Sequence, residues 1–348
     1  MNGSGLPPRR LLVTGGCGFI GSNFIHFLLR EHPDVAVVNL DKLTYAGNPD
    51  NLRDLEGDSR YRFIRGDIAD ADVVEQAMVG VDAVVNFAAE THVDRSLFGA
   101  DDFIRTDVHG TYVLLRAAQV AGAGRFIQVS TDEVYGDVPP GKRSRESDPL
   151  HPRSPYAASK AGGEMQCIAF WETYRLPVII TRASNNVGPR QHPEKAVPLF
   201  VTNALRGEPL PVYGDGRQRR DWLYVEDHCR ALDLLLRRGE PGEVYNIGAD
   251  NERENVEVAA LVLRELEKPL GLIRHVEDRP GHDRRYALDS SKLRALSWAP
   301  RHGFEEALRA TVRWYVENEW WWRRVREGDF ARFYAAQYGH RLGGATGG

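Results

Sequence analysis

The feature that most constrains this chain is an alternation of two kinds of segment. Short apolar runs rich in β-branched residues, "RLLVTG", "VAVVNLD", "YRFIRGD", "DAVVNFAAE", "RFIQVS" and "LPVIITR", are separated by segments of helical periodicity at 20–31, 70–79, 101–121 and 155–174. Strands that are apolar throughout need cover on both faces, so the pattern predicts an α/β fold with a parallel sheet between layers of helix. After residue 185 the pattern breaks: Pro, Gly and charged residues cluster at 186–195 and 207–220, helices are expected near 197–205 and 225–238, and "EVYNIG" reads as a strand. The expected organisation is a first domain over 1–185 with a segment near 221–247 returning to its sheet. A smaller mixed lobe over 186–330 and a C-terminal tail over 331–348 follow.

At 348 residues the chain can bury a large core. A formal charge of -4 supplies no basic face for nucleic acid. The short clusters Arg217-Arg219-Arg220 and Arg284-Arg285 suit a small phosphorylated ligand better than a polymer. No apolar stretch approaches the roughly 20 residues needed to span a bilayer, so no membrane partner is expected. The start "MNGSGLPPRR" lacks the apolar centre of a signal peptide and reads as a flexible tail. Cys17, Cys167 and Cys229 have no metal-ligand spacing and cannot all pair, which makes a reducing cytoplasm the default location. The 11 histidines show no H-x-x-x-H clustering, so no metal site is expected.

"LLVTGGCGFIGSNFI" sets Gly15, Gly18 and Gly21 at every third position between a strand and a helix. Glycine lets the backbone turn tightly and approach a pyrophosphate, the third glycine permits close helix packing, and the helix N-terminus adds positive potential. The spacing is a variant of the Rossmann fingerprint, so the fold expected is a Rossmann doubly wound parallel sheet with a smaller mixed C-terminal substrate lobe. By itself the motif has a bland alternative, a plain Gly-rich turn. Asp41 tips the balance, because it ends the second strand about 20 residues past the last glycine, where a carboxylate can accept from both adenosine ribose hydroxyls. A 2′-phosphate there would meet like charge, so NAD is favoured over NADP, with Lys42 the residue that could offset this. Asp67 of "GD" could hold the adenine edge, or be a solvated strand-end aspartate.

Tyr156 and Lys160 lie one helical turn apart in "SPYAASKAGGE" and so can serve one ligand. A phenol of ordinary pKa near 10 is a poor base, and bringing it near 7 takes about 4 kcal/mol. Lys160 and an oxidised nicotinamide together could supply that. A chance surface pair is the reading such spacing deserves when it stands alone; behind a dinucleotide loop, Tyr156 reads as the base on a substrate hydroxyl.

These residues resemble the extended short-chain dehydrogenase/reductase superfamily, and within it the dTDP-glucose 4,6-dehydratase family. "TGGCGFIGSNF", "DKLTYAGN", "NFAAETHVDRS", "TDEVYGD", "SNNVGPRQHPEK", "YGDGRQRRDWLYVEDH", "YNIGADNERENVEV" and "EDRPGHDRRYALD" look like that family's segments in order along nearly the whole chain. The resemblance implies an internal redox cycle: carbon 4 of the sugar is oxidised, water leaves across carbons 5 and 6, and carbon 6 is reduced. It assigns Glu133 as base at carbon 5, Asp132 as acid for the departing hydroxyl, and Thr131 as a hydrogen-bonding partner around oxygen 4 beside Tyr156. Two carboxyls held close split their pKa values, which leaves one protonated. Epimerases of the superfamily carry small or hydroxyl residues in place of this acid pair, and decarboxylases and GDP-mannose dehydratases Ser-Glu, so Asp132 favours the dTDP-glucose branch.

For the cofactor, NAD, the resemblance further implies contacts from Phe19 and Ile20, from Lys42, Leu43, Thr44 and Gly47, and from Ile68. It adds Phe87, Ala88, Ala89 and Glu90, then Thr106 and Asn186. For the substrate it implies Asn185, then Lys195, Ala196, Val197, Pro198 and Leu199, with Pro211-Val212-Tyr213 as a thymine platform. Arg220, Asn255 and Arg279 are implied at diphosphate and ribose, where a planar guanidinium fork binds oxygens bidentately; His282 and Tyr286 belong to the same set. Thr91 stands where many members have serine, and Val187 and His192 replace aromatics. A homodimer packed through 101–121 and 155–174 is implied, with Ala117-Ala118-Ala121 and Ala157-Ala158-Ala161 permitting close approach. Cys17 reads as a small filler, and Trp320-Trp321-Trp322 as a terminal helix pinned on the core by one ring. The alternatives are another nucleotide-sugar enzyme on the same fold, against which Asp132 and "RPGHDRRY" count, and a non-catalytic NAD-responsive binding protein.

Overall fold

The computed structural model describes residues 8–343; the start of the expected flexible tail, residues 1–7, lies outside them. In chain order the first half comprises β1 (Arg10–Thr14), α1 (Phe19–Glu31), β2 (Ala36–Asp41), β3 (Tyr61–Arg65), α2 (Ala71–Ala77) and β4 (Ala83–Asn86). α3 (Val93–Ser96), α4 (Asp101–Phe103), α5 (Thr111–Ala121), β5 (Arg125–Thr131), α6 (Pro155–Tyr174) and β6 (Val178–Ala183) complete it. All six apolar runs are strands, and the four helical segments are helices, with a π-helical turn over Ile104–Gly110 inside the third.

β7 (Asn185–Val187), α7 (Ala196–Arg206), β8 (Leu210–Tyr213), β9 (Arg219–Tyr224), α8 (Val225–Arg238) and β10 (Val244–Ile247) follow. The seven-stranded sheet runs β10-β6-β5-β4-β1-β2-β3 and every pairing is parallel. β10 therefore returns to the sheet beside β6, with Tyr245 opposite Thr181. One face is covered by α1 and α8 through Phe24, Ile25, Leu28, Leu232 and Leu235. The other is covered by α2, α5 and α6 through Val74, Leu114, Leu115 and Phe170. Beneath α6, Glu164 and Arg182 form an ion pair 2.6 Å apart with both side chains buried, a pairing that a buried charge requires.

The C-terminal lobe adds β11 (Glu252–Glu254), α9 (Asn255–Glu265), β12 (Ile273–Val276), α10 (Ser291–Arg294), α11 (Phe304–Glu317) and α12 (Glu319–Val325). Two small sheets, β11-β9-β7 and β12-β8, pack with α7, α9, α11 and α12 around Trp222, Phe304, Tyr315 and Val262. The tryptophan run differs from expectation: two rings pin α12, not one. Trp321 donates to Asn51 Oδ1 at 2.8 Å and Trp322 to the Tyr315 carbonyl at 2.8 Å, while Trp320 is exposed. A buried indole N–H needs an acceptor, and both have one.

Residues beyond 330 are likewise not a loose tail as far as 343. They form α13 (Asp329–Gly343), which buries Phe330, Phe333, Gln337 and Tyr338. Arg95 fastens its first turn: the guanidinium lies between the Tyr45 and Phe333 rings, 3.8 and 4.7 Å from their centroids, and ion-pairs with Asp329 at 2.7 Å.

Candidate active site

Three adjoining cavities form one cleft across the C-terminal ends of the parallel strands, where the order reverses between β1 and β4, the position at which open α/β sheets bind ligands. The first two are lined by the glycine loop and the ends of β2 to β5. Gly15 sits at φ 67°, and a Cβ there would lie 2.7 Å from the Ala88 nitrogen; one on Gly21 would strike the Gly15 carbonyl. Only glycine lets the loop pack this closely on the end of β4 and on itself. Asp41 is buried at the end of β2, accepting from Cys17 and Leu43 N–H groups at 2.8 Å each. Lys42 is tied to Asp67, 3.0 Å away, which neutralises the cation that could have offset Asp41. Cys17 is buried with its thiol pushed up to about 12, first by burial and then by Asp41, consistent with a filler.

The structure gathers Phe19, Ile20, Thr44, Gly47, Ile68, Phe87, Ala88, Ala89, Glu90 and Thr106 around these two cavities, together with Asn186. Leu43 is not among them. Its backbone is at φ 60°, its N–H is turned to Asp41, and its side chain packs against the core under α1.

Thr131 ends β5 and caps the 3₁₀ turn Asp132–Tyr135, accepting from the Glu133 N–H at 3.2 Å and donating to Asp132 Oδ1 at 3.2 Å. That cap turns the two carboxyls of the pair into the cleft. Asp132 is buried, and its Oδ2 has no partner. Burial and the neighbouring Glu133 push its carboxyl well above the usual range, with Arg220 working the other way. Burial raises Glu133 too, but Arg279, Lys195 and Arg220 all favour its charged form. The pair is thus split, with Asp132 the better proton holder.

Lys160 lies one turn beyond Tyr156 on α6 and donates to the Val129 carbonyl at 2.9 Å. Burial, then Glu133 and Asp107, push the phenol well above its ordinary value, while the Thr131 hydroxyl lowers it.

The third cavity lies between the sheet and the lobe. Thr91 lies towards the first two cavities, whereas Asn185 and Lys195 border both the first and the third. Ala196, Leu199, Pro211, Val212, Tyr213, Arg220, Asn255, Arg279, His282 and Tyr286 line the third. Arg279 donates to Asp94 at 2.8 Å, and Arg220 stacks over the Tyr286 ring at 4.2 Å while donating to the Asp283 carbonyl at 2.9 Å.

Val197 and Pro198 do not line the cavity. On α7, positions 196, 199 and 200 share the cleft face, whereas Val197 falls on the face that packs with Val201 and Ala204 in the lobe core. Val187 is also in that core, while His192 lines the first cavity, edge-on to Tyr45.

Sequence reasoning missed Ser130, Ser184, Gln191 and His228 in the first cavity, and Asp94 and Tyr338 in the third. Gln337, behind Tyr338, donates to Tyr213 Oη at 2.6 Å and to Asp94 Oδ2 at 3.2 Å, and Tyr213 itself donates to Asp94 at 2.8 Å. Among the described residues, six of the eleven buried side-chain polar atoms without a protein partner belong to residues that line the first cavity: Ser130 Oγ, Asp132 Oδ2, Ser184 Oγ, Asn185 Oδ1, Gln191 Oε1 and His228 Nε2. Buried polar atoms are normally satisfied, so this concentration marks a site built to hold polar ligands. Among the described residues no group of three or more metal-ligating side chains is placed to hold an ion.

The parallel sheet, the glycine cradle and the Tyr156–Lys160 pair at the switch point define a short-chain dehydrogenase/reductase carrying a separate lobe for a second ligand. The sequence profile of the family described as GDP-mannose 4,6 dehydratase matches residues 12–311. A dTDP-glucose 4,6-dehydratase from Streptomyces niveus is 49% identical over 327 residues, 92% of this chain and 97% of the relative. The low-salt glycan biosynthesis protein Agl12 of Haloferax volcanii is 51% identical over 309 residues, 89% of this chain and 99% of the relative. The crystal structure of DesIV, a dTDP-glucose 4,6-dehydratase from Streptomyces venezuelae with NAD bound, superposes with a TM-score of 0.89 at 51% identity, covering 91% of this chain and 99% of that one. The chain belongs to the dTDP-glucose 4,6-dehydratase family of the extended short-chain dehydrogenase/reductase superfamily.

Proposed function

We propose that this protein converts dTDP-glucose to dTDP-4-dehydro-6-deoxyglucose in deoxysugar biosynthesis, as an NAD-dependent hydro-lyase. The observation that carries the reading is the split carboxyl pair Asp132–Glu133 beside Tyr156 in a cavity full of unpartnered polar atoms.

The cradle fits a dinucleotide. Gly15 and Gly21 stand where a Cβ would strike the Ala88 and Gly15 backbone, which keeps the loop tight at the start of α1, and Asp41 lies at the ribose end of β2 with the neighbouring Lys42 ion-paired to Asp67. NAD held there would supply the hydride acceptor for carbon 4 and the donor for carbon 6, and its oxidised ring would add positive charge beside Tyr156.

Tyr156 accepts the proton of the 4-hydroxyl, with Thr131 hydrogen-bonding at the same oxygen. The ketone formed at carbon 4 acidifies the hydrogen on carbon 5, which Glu133 removes; its ionised form is favoured by Arg279, Lys195 and Arg220. Asp132 gives its proton to the departing 6-hydroxyl, water leaves, and as carbon 6 is reduced Glu133, having exchanged with solvent, returns a proton to carbon 5. Lys160, anchored on the Val129 carbonyl, orients the neighbouring groups. In the third cavity Arg220 and Arg279 take the diphosphate, Asn255 the ribose, and Pro211–Tyr213 flank the base.

Two further parts of the reading rest on surfaces. Homodimer packing uses the outer faces of α5 and α6, where Tyr112, Met165 and Ile168 are exposed. Of the alanines expected at that interface, Ala121 and Ala158 are exposed on those outer faces, whereas Ala117, Ala118, Ala157 and Ala161 are buried within one chain. A cytoplasmic location accords with three free buried thiols and with the lack, among the described residues, of any helix long and apolar enough to cross a membrane.

Purified protein incubated with dTDP-glucose and no external reductant should yield a 4-keto-6-deoxy product carrying solvent deuterium at carbon 5. UDP-glucose and GDP-mannose run in parallel should turn over more slowly. No product from dTDP-glucose, or a product that needs added reductant, overturns the assignment.

A further inference from the structure

His228 lies in the first turn of α8, fully buried, on the side of that helix nearest α1 and the glycine loop. Its ring can be assigned a single protonation state from its neighbours. Asn186 Nδ2 donates to the Ser184 carbonyl at 3.0 Å. The reverse amide orientation would set two acceptors against each other, so the carbonyl oxygen of Asn186 must face His228. That oxygen is 3.0 Å from His228 Nδ1 and can only accept, so Nδ1 carries the hydrogen. Burial lowers the imidazole to about 3, which keeps the ring neutral. Nε2 is then a bare lone pair without a protein partner, on a residue that borders the first cavity.

A buried acceptor with no donor is unfavourable, and a lone pair facing a pyrophosphate would repel it. The atom therefore calls for an N–H or O–H on the ligand. His228 borders the cavity containing Gly18, Phe19, Tyr156 and Lys160 and does not border the one containing Arg220 and Arg279. We propose that His228 is a cofactor-binding residue whose Nε2 accepts a hydrogen bond from the nicotinamide half of the bound dinucleotide, through its amide N–H or a ribose hydroxyl. Asn186 locks the tautomer that makes this acceptor available. The inference deepens the NAD-dependent reading and rests on it.

The test uses the full chain with ¹⁵N-labelled histidine, stripped of dinucleotide and then titrated with NAD or with dTDP separately, the His228 signals being those missing in His228→Gln. The stripped protein should show an unprotonated Nε2 whose resonance moves on adding NAD and not on adding dTDP. A protonated Nε2, movement with dTDP alone, or no movement with either, as a trapped water would give, overturns the proposal. In binding titrations His228→Phe should weaken NAD about tenfold, the scale of one lost hydrogen bond to a buried acceptor, while His228→Gln, which restores an acceptor, stays within about threefold of wild type. Equal affinities in all three forms overturn it as well. Because these readouts need no turnover, a protein that passes them yet leaves dTDP-glucose untouched would refute the dehydratase reading alone.

Discussion

The glycine-loop end of the cleft is walled largely by backbone, whereas the arginine end is walled by side chains that hold one another. At the first, the ends of successive parallel strands bring Gly15, Asp41, Asp67 and Ala88 together because the sheet order demands it. At the second, Asp94 of α3, Tyr213 of β8, Arg279 of a loop and Gln337 of α13 meet through four hydrogen bonds drawn from four parts of the chain. The electrostatics differ in the same sense. Glu90, at the first end, is pushed up to about 7, chiefly by burial and then by Asp107 and Asp102. Asp94, at the second, is held at about 2 in spite of burial, by His92, Arg279 and Tyr213. The first end gathers more of the unsatisfied groups, whereas the second holds a hydrogen-bonded network beside the unpartnered nitrogens of His92 and Trp222. A scaffold of the first kind can be shared by many enzymes, while substrate choice belongs to the second.

The largest expected effect separates chemistry from binding at both ends. Asp132→Asn and Glu133→Gln should each slow product formation by about 10²-fold or more, the usual scale for a removed acid or base, while NAD binding persists. Unchanged turnover in both variants would remove the pair from the mechanism.

Next comes a stability effect confined to the glycine-loop end. The folded-state pKa of Glu90 is raised above its ordinary value of 4.5 to about 7, so its contribution to stability is intact below about 4.5 and is lost as pH rises towards 7. Glu90→Gln lacks that loss. The melting temperature of the variant should gain on wild type between pH 4.5 and 7 and then run parallel above 7, the total approaching about 3 kcal/mol. A difference that is constant from pH 4.5 to 8 would show that Glu90 is not held protonated.

The smallest effect belongs to the arginine end. Gln337→Leu removes both donors that tie α13 to Tyr213 and Asp94, and should raise KM for dTDP-glucose roughly tenfold, about one buried hydrogen bond, with NAD affinity unmoved. A matching loss of NAD affinity would mean that the two ends are not separable.

The same contrast explains what could be read in the amino-acid order. Parallel strands buried on both faces appear as unbroken runs such as "DAVVNFAAE", and the cradle they present needs glycine at fixed local spacing, so both are local signals. Tyr156 and Lys160 are likewise one turn apart on one helix. Val197 and Pro198 show the limit: the run 195–199 is correctly placed beside the cleft, but helical phase turns Val197 inward, and block resemblance does not resolve phase. The elevated phenol of Tyr156 arises first from burial and then from Glu133 and Asp107, residues distant in sequence, and so could not be anticipated from the Tyr-Lys spacing. Gln337 and Tyr338 carried no local signal at all, since their partners Asp94 and Tyr213 lie more than a hundred positions away.

α13 has a consequence for how the molecule comes into being. Every residue bordering the first two cavities precedes Val225 except His228, whereas the third is not enclosed until Tyr338 is in place. Because domains fold from the N-terminus during synthesis, a nascent chain would complete the glycine-loop end first and remain open at the arginine end until α13 has cleared the ribosome. A premature stop between 299 and 328 would leave the seven-stranded sheet with β10 and its packing residues in the chain while the third cavity stays open for want of Tyr338.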